Sequence, residues 1–241
     1  MRSASSRPRS PTASSTVSES RRALRDVAIV LAAIGAAWLL SRFVLYPMLG
    51  VPENAPLILR PILGFAAAWT LVRAAGGSWS DFGLRRPDNL ALALGATIAL
   101  YGLVWLVSRY AVPVIAGLFT VTPSPPFLAY IRGSAVAFAG WIAISWIVGG
   151  FMEELLFRGY LMQRVAKAAG GGVAGHAAGA IAQAVLFGLL HLHQGAFGFF
   201  FAGTIALLYG AAFHLLGRNL WPLILVHGAW NSIAVARLYG L

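Results

Sequence analysis

Residues 133–158, GSAVAFAGWIAISWIVGGFMEELLFR, decide how this chain is read. The run 133–152 carries no charge, which is enough helix to cross a bilayer at about 20 apolar residues per crossing. Two acids, Glu153 and Glu154, then stand side by side, with Arg158 following at a spacing of four. The chain holds only seven Asp and Glu, and no other acid lies between Asp88 and the C-terminus. An ionised carboxylate in low dielectric is costly unless it is paired or useful. The adjacent pair therefore calls for a physical reason.

Outward from this stretch, the rest of the chain has the same character. It is 241 residues long, 59% hydrophobic and 10% charged, whereas soluble domains carry about a quarter charged residues. This is the composition of an integral membrane protein. The net charge of +11 is scattered between apolar runs, as at membrane interfaces. It forms no basic face for nucleic acid. There is no cysteine, which excludes disulfides, thiolate zinc sites and cysteine nucleophiles. Residues 1–22 are rich in Ser, Arg and Pro and read as a disordered cytoplasmic tail rather than a cleaved leader.

The apolar runs predict spans at about Val27–Met48, Leu57–Ala75, Asn89–Ser108, Gly133–Ala168, Gly175–His193, Phe199–Leu216 and Trp221–Leu238. The expected fold is all-α: a polytopic membrane helical bundle of about 7–8 transmembrane helices. A Pro-rich segment with Pro113, Pro123, Pro125 and Pro126 reads as partly irregular. Residues 23–133 read as N-terminal transmembrane helices and 134–238 as the unit that carries the chemistry. Arg21, Arg22 and Arg25 before the first span place the N-terminus in the cytoplasm. The loops with Arg73, Arg85 and Arg86, with Arg158, Arg164 and Lys167, and with Arg218 share that side.

Glu154 and Arg158 lie on one helix face and can pair. Glu153 points about 100° away and has no cation at i+4 on its own helix. Phe187 and His191 stand in the next span. With Gly171 as a hairpin hinge, Glu153 lies 18 residues before it and His191 lies 20 after. Both are then about 27–30 Å from the hinge and level with one another. His227 and Asn231 share a face of the last span. Arg218 lies about 13 Å from His227, and Arg158 about 7–8 Å from Glu153. With Arg158 at the interface, the two depths agree if the fourth helix projects into the cytoplasm, and the three elements then meet in the cytoplasmic half of the bilayer. His193 on a continued helix turns about 200° from His191. His176 and His214 read as interfacial. There is no His-Glu-x-x-His zinc signature and no Gly-x-Ser-x-Gly elbow.

Read together, Glu153-Glu154-x-x-x-Arg158, Phe187-x-x-x-His191 and His227-x-x-x-Asn231 resemble the CAAX-protease and bacteriocin-processing (Abi) family of intramembrane proteases, with a type II CAAX prenyl endopeptidase-like pattern. His193 stands where that pattern is aromatic or variable. The resemblance implies a multi-pass membrane endopeptidase in a bacterial cell membrane. Its substrate would be a membrane-associated peptide or protein tail, prenylated or bacteriocin-like, and membrane lipids would be its other partners. It implies that Glu153, helped by His191, activates water, and that His227 and Asn231 stabilise the oxyanion. Glu154, Arg158 and Phe187 take supporting roles. A divalent metal such as zinc held by Glu153, His191 and His227 is the alternative chemistry. Two readings of another kind stay open: a non-enzymatic scaffold or immunity-type protein, and a proton-coupled transporter. The sequence carries no signal for oligomeric state.

Overall fold

The computed structural model describes residues 13–50, 58–119 and 126–240. These residues fold as seven long helices joined by short turns, and no strand occurs among them. The helices are α1 (13–49), α2 (Leu59–Ala74), α3 (Leu90–Leu118), α4 (Ala135–Ala168), α5 (Gly172–Leu190), α6 (Gly195–Leu215) and α7 (Trp221–Tyr239). The expected all-helical membrane bundle is present. Five of its segments are long and apolar enough to cross a bilayer: Val17–Leu49, Leu90–Leu118, Ala135–Ala168, Gly172–Leu190 and Leu192–Leu215. α2 has only 16 residues. α7 has 19 but carries His227, Asn231, Ser232 and Arg237, which lower its hydropathy.

Three boundaries differ from the sequence reading. Helix α1 begins ten residues before position 23, so only residues 1–12 of the expected disordered tail lie outside the described residues. The segment 13–22 is held by contacts the composition does not reveal. Glu19 pairs with Lys167 of α4 at 3.0 Å, and Ala23 is fully buried. Helix α3 runs through Pro113 to Leu118 instead of stopping at Ser108. The missing N–H of a proline weakens one turn, and apolar surroundings still favour a helix over unpaired backbone. Pro123 and Pro125 lie outside the described residues. Helix α5 ends at Leu190, where a 3₁₀ turn, Leu192–Gln194, intervenes before α6.

Helix α4 is the axis of the bundle. Its middle is wound wider than an α-helix, as π turns over Ser145–Glu153 and Leu155–Leu161, a form found in short pieces and often at functional sites. α7 packs along the first of these turns, α5 packs on Met162–Ala168, and α2 crosses both. Small residues permit the α4–α7 approach. A β-carbon on Gly228 would lie 2.5 Å from the Trp146 ring, and one on Gly150 would lie 2.9 Å from the Ile224 carbonyl. Close backbone approach at small residues is the usual basis of helix association in lipid. The α4–α5 hairpin turns on Gly170, Gly171 and Gly172, all at positive φ (86°, 70° and 63°), which only glycine adopts without strain.

The Arg-rich ends lie together. Ser20 of α1 reaches the Lys167 carbonyl, and Gln163 of α4 reaches the Phe82 carbonyl in the α2–α3 connection. Arg85 donates to the Gly217 carbonyl at 2.8 Å, and Asn219 donates to the Arg85 carbonyl at 3.1 Å. The start of α1, the α2–α3 connection, the α4–α5 turn and the α6–α7 turn thus share one end of the bundle. The first turns of α2, α4 and α6 and the last turn of α5 lie at the other.

Candidate active site

Glu154 sits inside the bundle, fully buried along with Arg158. Arg158 Nη1 donates to Glu154 Oε1 at 2.9 Å, so the expected ion pair is present. The guanidinium lies between two rings, 4.7 Å from the centroid of Phe187 and 5.0 Å from that of Tyr209. Arg158 Nε and Nη2 have no hydrogen-bond partner. Attraction between the cation and the ring faces supplies part of what those N–H groups lack. Phe187, α5's contribution to the motif, thus covers one side of the buried cation. It also packs edge-on against Phe157 at 5.1 Å. The same Glu154 oxygen receives a second contact, from His227 Nδ1 at 2.7 Å. Spacing along the chain assigned Glu154 to Arg158 alone. The bond to α7 is tertiary and joins residues 73 apart.

Arg158 was expected near the membrane interface, and the structure corrects this. It is a core residue, desolvated by the rings around it, so it marks no membrane depth. The depth of Glu153 taken from Arg158 loses its basis, whereas that of His227, taken from Arg218, does not depend on it.

Glu153 points elsewhere. Its carboxylate makes no hydrogen bond among the described residues, and its Oε2 lies 3.8 Å from His227 Nε2. It opens on a cavity of about 390 Å³ that is also lined by His191, His227 and Asn231. All four expected catalytic residues therefore face one space. His191, at the C-terminal end of α5, has Nδ1 2.8 Å from the Phe187 carbonyl. A carbonyl only accepts, so Nδ1 carries the proton and Nε2 keeps a lone pair. By the same rule a Glu154 carboxylate oxygen accepts a hydrogen bond from His227 Nδ1. Asn231 lies one turn beyond His227. A β-carbon on Gly149 of α4 would come within 2.6 Å of Asn231 Nδ2 and 3.6 Å of His227 Nε2. Gly149 is thus the floor on which both polar groups rest.

His193 is a correction. The helix ends before it, so the angle of a continued helix does not apply. Its ring lies 5.9 Å from that of His191, and both line the cavity. His176 and His214 lie apart from the cavity and stack edge to face at 4.7 Å. For the metal alternative, no three His, Asp or Glu side chains among the described residues converge at ligand range, and His227, whose Nδ1 is engaged by Glu154, has only Nε2 free to bind one. No step is therefore routed through a metal.

Sequence reasoning missed two residues. Tyr209 lies mid-helix in an apolar run with nothing to mark it. Arg60 was visible as a charge at the head of an apolar span. A cation at such a position is a functional candidate by default. It lines the same cavity, is 8% exposed, and donates from Nη2 to the Leu190 carbonyl at 2.8 Å.

The cavity is also lined by Ile58 and Pro61 before and in α2, by Leu128 and Ile131 before α4, by Gln194 after α5, and by Ala234 and Leu238 late in α7. All belong to the end opposite the Arg-rich turns.

An all-helical membrane protein with a mostly apolar cavity, set with a few polar side chains and sunk among its helices, is the class that this fold and site define. Residues 135–233 match the family model described as type II CAAX prenyl endopeptidase Rce1-like. The match makes this segment similar to that protease family, and it holds the whole of Glu153, Glu154, Arg158, Phe187, His191, His227 and Asn231. No curated protein and no solved structure matches the chain.

Proposed function

We propose that this protein is an intramembrane endopeptidase that hydrolyses a peptide bond in a membrane-associated, prenylated or bacteriocin-like substrate. Residues 134–238 form its catalytic unit. The carrying observation is the division between the two acids. Glu154 is consumed by Arg158 and His227, while Glu153 makes no hydrogen bond among the described residues and shares a cavity with His191, His227 and Asn231.

The chemistry then assigns itself by atom type. A water between Glu153 and His191 loses a proton to the Glu153 carboxylate as its oxygen attacks the peptide carbonyl carbon. His191 Nε2 accepts the remaining O–H and aims the water. The carbonyl oxygen becomes an oxyanion, and Asn231 Nδ2 donates to it without any change of protonation. His227 Nε2 can donate as well only when its ring carries both protons, and Glu154 supplies the counter-charge for that form. Donors held in place where charge develops act most strongly in a site with little water. Collapse of the tetrahedral intermediate breaks the C–N bond, and the proton on Glu153 passes to the departing amine.

The test is proteolysis of a fluorogenic prenylated peptide by the purified full-length protein. Glu153→Gln keeps the shape and removes the base, so kcat should fall about 10²–10⁴-fold with thermal stability preserved. A Glu153→Gln protein of undiminished kcat sinks the assignment.

A further inference from the structure

Among the described residues, Arg60 is the one Arg or Lys that lines the cavity, and Glu153 is the one acid. They are not paired. No carboxylate among the described residues comes within 4.0 Å of the Arg60 guanidinium. One Arg60 N–H bond is made, from Nη2 to the Leu190 carbonyl, and Nε is buried with no partner. A guanidinium has five N–H donors in a planar fork that fits a carboxylate in two-point fashion. A cation in a mostly apolar cavity with no carboxylate in contact among the described residues, and only Glu153 at longer range, is costly. An anion that enters with the substrate would remove that cost.

The position says which anion. Arg60 binds the carbonyl of Leu190, the residue directly before His191, so an anion on its fork sits beside the water-activating end of α5. Every peptide substrate carries one carboxylate whatever its sequence, at its C-terminus. Resting on the peptidase reading above, we propose that Arg60 is a specificity residue that pairs with the free C-terminal carboxylate of the substrate. The chain terminus then lies on the α2 side of the cavity, and the cleaved bond lies a short way before it. Arg60 stands outside the matched segment 135–233, so this selectivity is supplied by the N-terminal helices.

The experiment compares a fluorogenic farnesylated peptide ending in a free carboxylate with its C-terminal amide, and with an amide whose last residue is Asp. Wild type should favour the acid over the plain amide by about tenfold or more in kcat/KM, chiefly through KM, as expected for a charge-assisted pair. Arg60→Gln should abolish that ratio, and Arg60→Lys, which keeps the charge but not the fork, should restore part of it. Equal use of acid and amide by wild type overturns the proposal, as does a ratio that survives in Arg60→Gln. An Asp-terminated amide equal to the acid assigns the anion to a side chain and overturns it as well. Should Arg60→Gln fail to fold, the wild-type and Arg60→Lys ratios decide. Binding of the same peptides to the Glu153→Gln protein separates this proposal from the peptidase reading. Absent cleavage by the wild type together with acid-selective binding to Glu153→Gln rejects peptidase activity and keeps Arg60 as the carboxylate site. Absent or unselective binding rejects the Arg60 assignment.

Discussion

Glu154 Oε1 accepts from Arg158 at 2.9 Å and lies 2.7 Å from His227 Nδ1, so one oxygen ties α4 to itself and to α7. Its neighbour Glu153 makes no such tie and faces the cavity. The two acids should therefore respond differently to the same substitution. Glu154→Gln keeps a neutral acceptor but leaves Arg158 charged and buried between Phe187 and Tyr209. Breaking a buried pair in this way costs about 3–5 kcal/mol. A fall in thermal stability is expected together with lost activity, and melting in detergent checks it. Glu153→Gln should lose activity at nearly unchanged stability. If Glu154→Gln melts like wild type, the structural role given to Glu154 is wrong.

At the scale of elements, α4 and α7 meet through glycine. The site is held by that approach as much as by polar bonds. Gly149 is the informative position, because its β-carbon would press on the end of a side chain, the Asn231 amide, rather than on backbone. Gly149→Ala should fold and yet push the Asn231 donor from its place. A loss of kcat of about 10-fold or more is expected with little change in KM, since removing an oxyanion donor outright costs about 10²–10³-fold. Gly228→Ala is the contrast. Its β-carbon would enter the Trp146 ring at 2.5 Å, so the helices must separate and stability should fall along with rate. Equal kinetics for Gly149→Ala and wild type would remove Asn231 from the mechanism. The π turns of α4 were not legible in the sequence, where only an apolar helical run could be read.

Across the whole molecule, charge and cavity lie at opposite ends. Arg85, Arg218 and Lys167 belong to the turns that are bonded together at one end, and the cavity's lining reaches toward the other. Positive charge collects on the cytoplasmic side. We infer that the Arg-rich end, with the start of α1, is cytoplasmic and that the cavity opens toward the opposite leaflet. A reporter fused at Gly171 should score cytoplasmic, and one inserted at Gly133 should score on the other side. The reverse pattern would turn that opening, and the side from which substrate enters, toward the cytoplasm.

The composition and the long uncharged runs determined that the chain is an all-helical membrane bundle. A bilayer leaves few ways to satisfy the backbone, and about 20 apolar residues suffice for each crossing. Spacing along single helices determined the Glu154–Arg158 pair and the shared face of His227 and Asn231, because helical periodicity is local. It also placed Glu153 level with His191, since a hairpin of two helices is nearly so. Tertiary structure alone decided that Glu154 also bonds His227, that Tyr209 and Phe187 enclose Arg158, that His193 turns back beside His191, and that Arg60 enters the cavity from α2. Each of these depends on how helices rotate and approach one another. That is set by close contacts at residues such as Gly149, Gly150 and Gly228, which carry no chemical label of their own.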